Sequence, residues 1–260
     1  MRGRGWLSAL GLLLGVVVIG WAHVSMGGTL GMFAQAEALA VVFGGTLAAL
    51  LVSFPAEALR AALVGVVTLG RRRPAPLELL VPAFMGYART ARRQGLRAVE
   101  QEAEQAKDSF LVRALTLSAS GLPVEMVRET LEIEARVFAD REEERAHVLE
   151  AAAGYAPTLG IVGAVLGLMR VMQHFSAATG IGAGIAAAFV ATIYGVGAAN
   201  LVFLPLATRL RAHARVEALR RELVINGVLA LREGASPGLV EERLSGYLPP
   251  ARTSHLSEVA

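Results

Sequence analysis

Cysteine is absent from the 260 residues, and Lys107 is the only lysine among 25 basic side chains. The first absence excludes disulfides and thiolate metal sites. Five scattered histidines give no pair at zinc-ligand spacing, so no metal centre is expected. Charged residues make up 18% of the chain and aromatics 6%, against 54% hydrophobic residues. An ordinary soluble domain is more charged and less apolar, and the mean hydropathy of +0.52 agrees with a membrane protein. The basic pI of about 9.8 has no RNA- or DNA-binding motif beside it, so nucleic acid is not an expected partner. No nucleophile–base–acid set or phosphate loop appears, so neither an enzyme nor a cofactor is expected. Strand alternation of useful length is also missing, and the chain reads as all-α.

What is present is a set of long apolar runs. A helix crossing ~30 Å of hydrocarbon needs about 20 such residues at ~1.5 Å rise each. Four stretches qualify: Trp6 to Val24, Phe33 to Phe54 with only Glu37 charged, Tyr155 to Phe175 with only Arg170, and the uncharged Ile181 to Leu206. Segments 22–32 and 176–180, which join the spans pairwise, carry no Arg or Lys. Arginine is dense elsewhere, as at Arg2 and Arg4, Arg71 to Arg73, Arg89 to Arg93 and Arg209 to Arg221. Positive charge stays inside, which puts both termini and the middle region in the cytoplasm and membrane lipid around four spans. The expected division is spans one and two in 1–55, a cytoplasmic helical domain in 56–154, spans three and four in 155–206, and a cytoplasmic helix and tail in 207–260. Arg2 and Arg4 before an apolar run, with Gly20-Trp21-Ala22, also resemble a signal peptide, but the run is longer than a usual signal core.

The cytoplasmic part is helical by periodicity. Leu77, Leu80, Val81, Phe84 and Ala88 recur at three- and four-residue spacing, predicting a helix from Ala75 to about Ser109. A short helix follows from Phe110 to Ala119. Pro123 then suits the first turn of a new helix, striped by Val124, Val127, Leu131, Ala135 and Phe138. It meets no breaker before Gly154 and is expected to run on into the third span. The fourth span likewise continues inward through Leu210, Ala214, Leu219, Leu223 and Leu229 to a turn at Gly234. A last helix spans Leu239 to Leu248, with a disordered tail expected from Pro249.

The last two spans hold the features that bear on chemistry. Gly160, Gly163, Ala164 and Gly167 in the third, and Ala187, Ala191, Gly195 and Ala199 in the fourth, let helix backbones approach closely. Gly11 and Gly15 in the first span read as packing within the chain. Pro157 and Pro205 each remove an amide donor near the cytoplasmic side, as a boundary kink or as a paired hinge. Thr192 sits mid-span with Tyr194 following it. Its hydroxyl can bond the Ala188 carbonyl one turn back or line a wet ion path. No span has a central Asp, Glu or Lys, whereas an ion path usually needs an ionisable group in the membrane. A partner chain would have to supply it.

Four segments carry a family likeness. Ala156-Pro157-Thr158-Leu159-Gly160-Ile161-Val162-Gly163-Ala164-Val165-Leu166-Gly167-Leu168 resembles the third-span motif of the MotA family of flagellar stator proteins. Thr192-Ile193-Tyr194-Gly195 and the segment from Ala199 through Pro205 to Ala207 resemble its fourth span. Phe43-Gly44-Gly45-Thr46 to Phe54-Pro55 is similar to its second span, and Arg92-Arg93-Gln94-Gly95-Leu96 with Glu100 to its cytoplasmic segment. The resemblance covers nearly the whole chain in order. It implies an inner-membrane ring of five chains around two copies of a MotB-type partner, whose single span carries the aspartate. Ion passage would turn the ring against the rotor protein FliG. By the same resemblance Arg92 and Glu100 match rotor-facing charges, Pro157 and Pro205 the coupling prolines, and Thr192 the threonine facing the aspartate.

The resemblance also bears on the ion. Sodium needs several oxygen ligands, and sodium-type members are expected to carry a threonine where this chain has Ala164. A methyl group cannot ligate sodium, so the proton is the expected ion, with a sodium-driven stator as the alternative. An energiser of the ExbB/TolQ type also uses a ring and a carboxylate-bearing partner, but usually with three spans and the N-terminus outside. A scaffold without an ion path would tolerate loss of Thr192 or Pro157. N-terminal sequencing of the purified protein is expected to find the first span retained; a start near His23 would remove it.

Overall fold

A computed structural model describes residues 4–69, 76–103, 108–173 and 181–248. Segment 176–180, Arg71 to Arg73, Lys107 and the tail from Pro249 lie outside the described residues. Among those described, the chain is helical and contains no strand. In order, the helices are α1 (Arg4–Ser25), α2 (Ala36–Ser53), α3 (Ala56–Thr68), α4 (Leu77–Gln94), α5 (Leu96–Ala103), α6 (Ser109–Ala119), α7 (Val124–Gln173), α8 (Ile181–Ala198), α9 (Leu204–Arg232) and α10 (Pro237–Ser245). A π-helical turn, Ala199–Phe203, joins α8 to α9 without a break. The expectation that the helices of the third and fourth spans continue unbroken beyond their apolar stretches therefore holds.

One expectation is corrected. The helix predicted from Ala75 to Ser109 is broken at Gly95, whose φ of 85° cannot continue a right-handed helix. Residues 56–68, unassigned by periodicity, form α3. Its start is set by Pro55, which holds Phe54 extended (φ −130°, ψ 144°) and so ends α2.

The chain folds as two compact units, Met1–Arg72 with Glu142–Ala212, and Arg73–Arg141 with His213–Ala260. In the first unit, α2, the C-terminal part of α7, and α8 with the π turn that continues it into α9 include stretches long and apolar enough to cross a bilayer. The apolar part of α1, Ala9–Ser25, is shorter. α7 and α8 pack backbone to backbone. A Cβ on Gly160 would meet the Ala191 carbonyl oxygen at 2.9 Å, and one on Gly167 would meet Ala188 at 3.0 Å. A Cβ on Gly195 would run into the Ala156 carbonyl and stand 3.0 Å from the Pro157 Cα. Small residues are needed here because two main chains occupy the space a side chain would fill. α2 covers one side of this pair through Ala38 and Val42, which pack with Ala156, Val190, Ala191 and Ala198. Gly15 of α1 abuts Leu201, its Cβ position lying 3.0 Å from Cδ2, whereas Gly11 faces open space. The packing role expected of both glycines therefore holds only for Gly15.

The second unit is built around a continuous apolar core. Phe84 of α4, Leu131 of α7, Leu223 and Leu229 of α9 and Leu244 of α10 are fully buried in it. Of the predicted stripe on α7, Val127 and Leu131 are buried, Val124 and Ala135 pack at the edge of the core, and the Phe138 ring lies 3.9 Å from the Arg221 guanidinium. Leu219, expected on the apolar stripe of α9, is exposed. Asp108 caps α6 by accepting from the Phe110 and Leu111 amides, both at 3.1 Å. Its other oxygen contacts the buried Arg220, which also bonds Glu217 at 2.9 Å. Burial, and then the neighbouring Arg221, push the Arg220 guanidinium below its usual value, and the two carboxylates keep the charge in place.

The close crossing makes a specific prediction. Gly195→Val is expected to destabilise the protein by about 1–3 kcal/mol or more through overpacking, and Gly11→Val to leave it unchanged. Thermal unfolding of the detergent-solubilised variants measures both.

Candidate functional site

Helical periodicity sorts the residues flanking the α7–α8 contact into two sides. Residues 160, 163 and 167 of α7 and 188, 191 and 195 of α8 lie at the contact itself. Pro157 and Ala164, seven residues apart, run along one edge of that stripe on α7. Because the helices run antiparallel, Thr192 occupies the matching edge on α8. The other edge faces α2: a Cβ on Gly163 would come within 3.5 Å of Val41 Cγ1, and Leu159 packs into the space at Gly45. Pro157, Ala164 and Thr192 therefore share the side of the helix pair turned away from α2. All three are half-buried in the chain. Flanking them are exposed apolar residues, among them Ile161, Leu168, Phe189 and Val196.

Thr192 and Gly195 lie at the level of Gly160, since a Cβ there would meet the Thr192 Cα at 3.3 Å and the Gly195 Cα at 3.4 Å. Other hydroxyls in these helices bond back to their own helix, as Thr46 does to the Val42 carbonyl at 2.6 Å and Thr158 to the Tyr155 carbonyl at 2.7 Å. Thr192 forms no such bond to Ala188 among the described residues. Its oxygen stays available on the side away from α2.

Tyr194 belongs to the opposite side. Its hydroxyl donates to the Phe33 carbonyl, and its ring lies 6.4 Å from that of Phe43. It fastens α8 to the approach to α2 and does not join Thr192. Alternation about a helix contains this information, because positions 192 and 194 are 200° apart at about 100° per residue.

The prolines differ from each other. Pro157 sits inside an uninterrupted 50-residue helix. Pro205 is exposed at the start of α9, just after the π turn, where the Leu204 amide reaches back to the Ala199 carbonyl. A proline has no amide to donate and crowds the carbonyl four residues earlier. The wider turn relieves that crowding. α2 contains a second π turn, Ala40–Gly44, immediately before Gly45.

In the second unit, Arg92 is exposed in the last turn of α4 and Glu100 is half-buried in α5. The Gly95 turn lies between them. Thr90 donates to Glu102 across this turn at 3.2 Å, bracing it.

Two groupings escaped the sequence reading. Glu37 and Arg170, each noted as the single charge of its apolar stretch, approach to 3.4 Å. Arg211 of α9 binds both Glu143 and Glu150 of α7. The seven-residue spacing of the two glutamates could have suggested one helical face, but not which arginine meets it.

This arrangement has counterparts among known proteins. Residues 102–223 match the model of the MotA/TolQ/ExbB proton channel family. Motility protein A of Bacillus subtilis is 33% identical over 93% of this chain and 90% of its own length. The chain belongs to the MotA family. It is a flagellar stator subunit, and the chemotaxis protein PomA of Vibrio alginolyticus is a further relative, 28% identical over 92% of the chain and 93% of that protein. The solved flagellar MotAB stator complex of Bacillus subtilis superposes with a TM-score of 0.87 at 31% identity, covering 97% of this chain and 98% of that one. The C. jejuni MotAB structure shares the fold, with a TM-score of 0.88 over 95% of this chain and 97% of that one.

The two sides of α8 should separate in experiment. Tyr194→Phe is expected to lower stability by about 1 kcal/mol through one lost hydrogen bond while leaving motility close to normal. Thr192→Ala is expected to impair motility without loss of stability. Thermal unfolding and swimming assays on the same pair of variants measure both effects.

Proposed function

We propose that this MotA-family chain is the ring-forming half of a proton-driven stator in the bacterial inner membrane. It spans the membrane four times, with both termini in the cytoplasm. Five copies surround two copies of a MotB-type partner, whose membrane aspartate takes up and releases the ion. Each passage turns the ring, and Arg92 and Glu100 act on the rotor protein FliG. Pro157 and Pro205 give the pore helices their flexible points, while α1 and α2 form the outer, lipid-facing layer.

One observation carries this reading. The side of the α7–α8 pair away from α2 carries Thr192 and Ala164, and among the described residues of these two spans it carries no carboxylate. A proton path through such a surface requires an acid from elsewhere, and a single-span partner with an aspartate supplies one. The solved relative, described as a flagellar MotAB stator complex, supports a MotB partner.

The proton is favoured over sodium by Ala164. Stripping water from sodium requires replacement oxygens, and one threonine hydroxyl beside a methyl group offers too few. An ExbB/TolQ-type energiser is disfavoured by the full-length match to motility protein A.

The test is complementation. A motile strain deleted for its own stator, given this chain with its MotB-type partner, is expected to swim in sodium-free medium. It should stop when the proton gradient is collapsed. Paralysis that added sodium reverses would assign the ion to sodium, and no swimming under any condition would remove the stator reading.

A further inference from the structure

The chain passes between its two compact units at three places, after residues 72, 141 and 212. The last two crossings fall inside the continuous helices α7 and α9. Any movement of the apolar unit that reaches the second unit along the backbone is therefore carried largely by two rods. A single helix under side load bends easily. Two helices tied together bend as one wider beam.

Such a tie is present in the first unit, just before both helices leave it. The Arg211 Nε donates to both oxygens of Glu143, at 2.8 and 3.0 Å, and its Nη2 donates to Glu150 Oε2 at 2.8 Å. Glu143 and Glu150 are two turns apart on one face of α7, so one guanidinium spans both. These bonds raise the Arg211 pKa above its usual value, Glu143 contributing most and Glu150 next. The charge is therefore permanent. Arg211 and Glu150 are about one-third exposed, whereas Glu143 is 56% exposed, so solvent screening weakens the Glu143 arm more than the Glu150 arm. A planar guanidinium holding two carboxylates fixes orientation as well as distance.

The tie is backed by a third helix. Gly65 of α3 is buried where α7 and α9 both reach it, its Cβ position lying 3.3 Å from Arg145 Cδ and 3.4 Å from Leu210 Cδ2. Arg145 is itself paired with the buried Glu142. The junction thus lies one residue from Arg211, roughly one and a half helical turns from Pro205 along α9 and roughly three from Pro157 along α7. Flexible points outward and a brace inward are what a lever requires.

We infer that Arg211, with Glu143 and Glu150, is a positioning cluster that locks α7 and α9 into one transmission element between the ion-driven helices and the rotor-facing unit. The inference rests on the stator reading above. It concerns force under load and not ion passage.

The experiment measures torque in single motors of a stator-deleted strain supplied with the full-length chain and its MotB-type partner. Each stator unit that joins adds one speed increment. R211Q is expected to lower the height of each increment at high load roughly twofold or more, because the fork to both carboxylates is lost. Near-zero-load speed, the number of increments and proton flux should stay at the unmodified level. R211K, which keeps the charge without the fork, should fall between. Full-height increments at every load in R211Q would overturn the proposal. So would fewer increments of normal height, which would mark a packing role alone. If R211Q fails to insert, the Glu143→Gln, Glu150→Gln double variant removes the same bonds from the other helix, and full torque there overturns it equally. Failure of the stator reading looks different: the unmodified chain would give no increments at all.

Discussion

The backbone contact between α7 and α8 is the constraint on which the membrane unit depends. Gly160, Gly167 and Gly195 let the two main chains come within side-chain distance of each other. In lipid this packing cannot be driven by expulsion of water, since lipid tails are as apolar as the side chains. Dispersion between closely fitted backbones takes its place, and it requires the absence of Cβ atoms at those positions. Once the two helices are set at this distance, their remaining surfaces are committed. One side is closed by α2 through Val41, Val42 and Gly45, and the other carries Thr192 and Ala164.

That division accounts for how few polar groups the unit uses. Tyr194 spends its hydroxyl on the Phe33 carbonyl, a structural bond on the closed side. Thr192 makes no bond back to its own helix among the described residues, although Thr46 and Thr158 do. A hydroxyl left without such a bond in an apolar setting is costly unless a partner or water reaches it. The proposed mechanism would give that hydroxyl a use, with a carboxylate on a partner helix facing it.

The second unit follows different physics. Its core is closed by ordinary hydrophobic burial around Phe84, Leu131, Leu223 and Leu229. Its charges are arranged as links between helices. Asp108 joins a helix start to Arg220, and Arg221 lies over the rings of Phe110 and Phe138. These links restrict how α6, α7 and α9 can shift against each other. The exposed Arg92 and half-buried Glu100, flanking the Gly95 turn, are thereby carried on a braced support.

By itself the sequence determined the helical class, the apolar runs, the unbroken continuation of the third and fourth spans as long helices and the small-residue stripes. Each of these is a local property, set by hydropathy, by periodicity and by the absence of breakers. The likeness of four segments to a known family was also legible, because motif spacing survives in one dimension. Tertiary structure decided the rest. Gly95 could have sat within a helix or broken it, and only its φ of 85° settled which. Gly11 and Gly15 look alike in sequence, yet one faces open space and the other Leu201. Thr192 and Tyr194, two residues apart, are separated by the rotation of the helix and by which neighbour covers each side. The binding of Arg211 to Glu143 and Glu150 joins residues more than sixty positions apart. No local signal encodes such a pairing, because it depends on how two helices are rotated and aligned against each other.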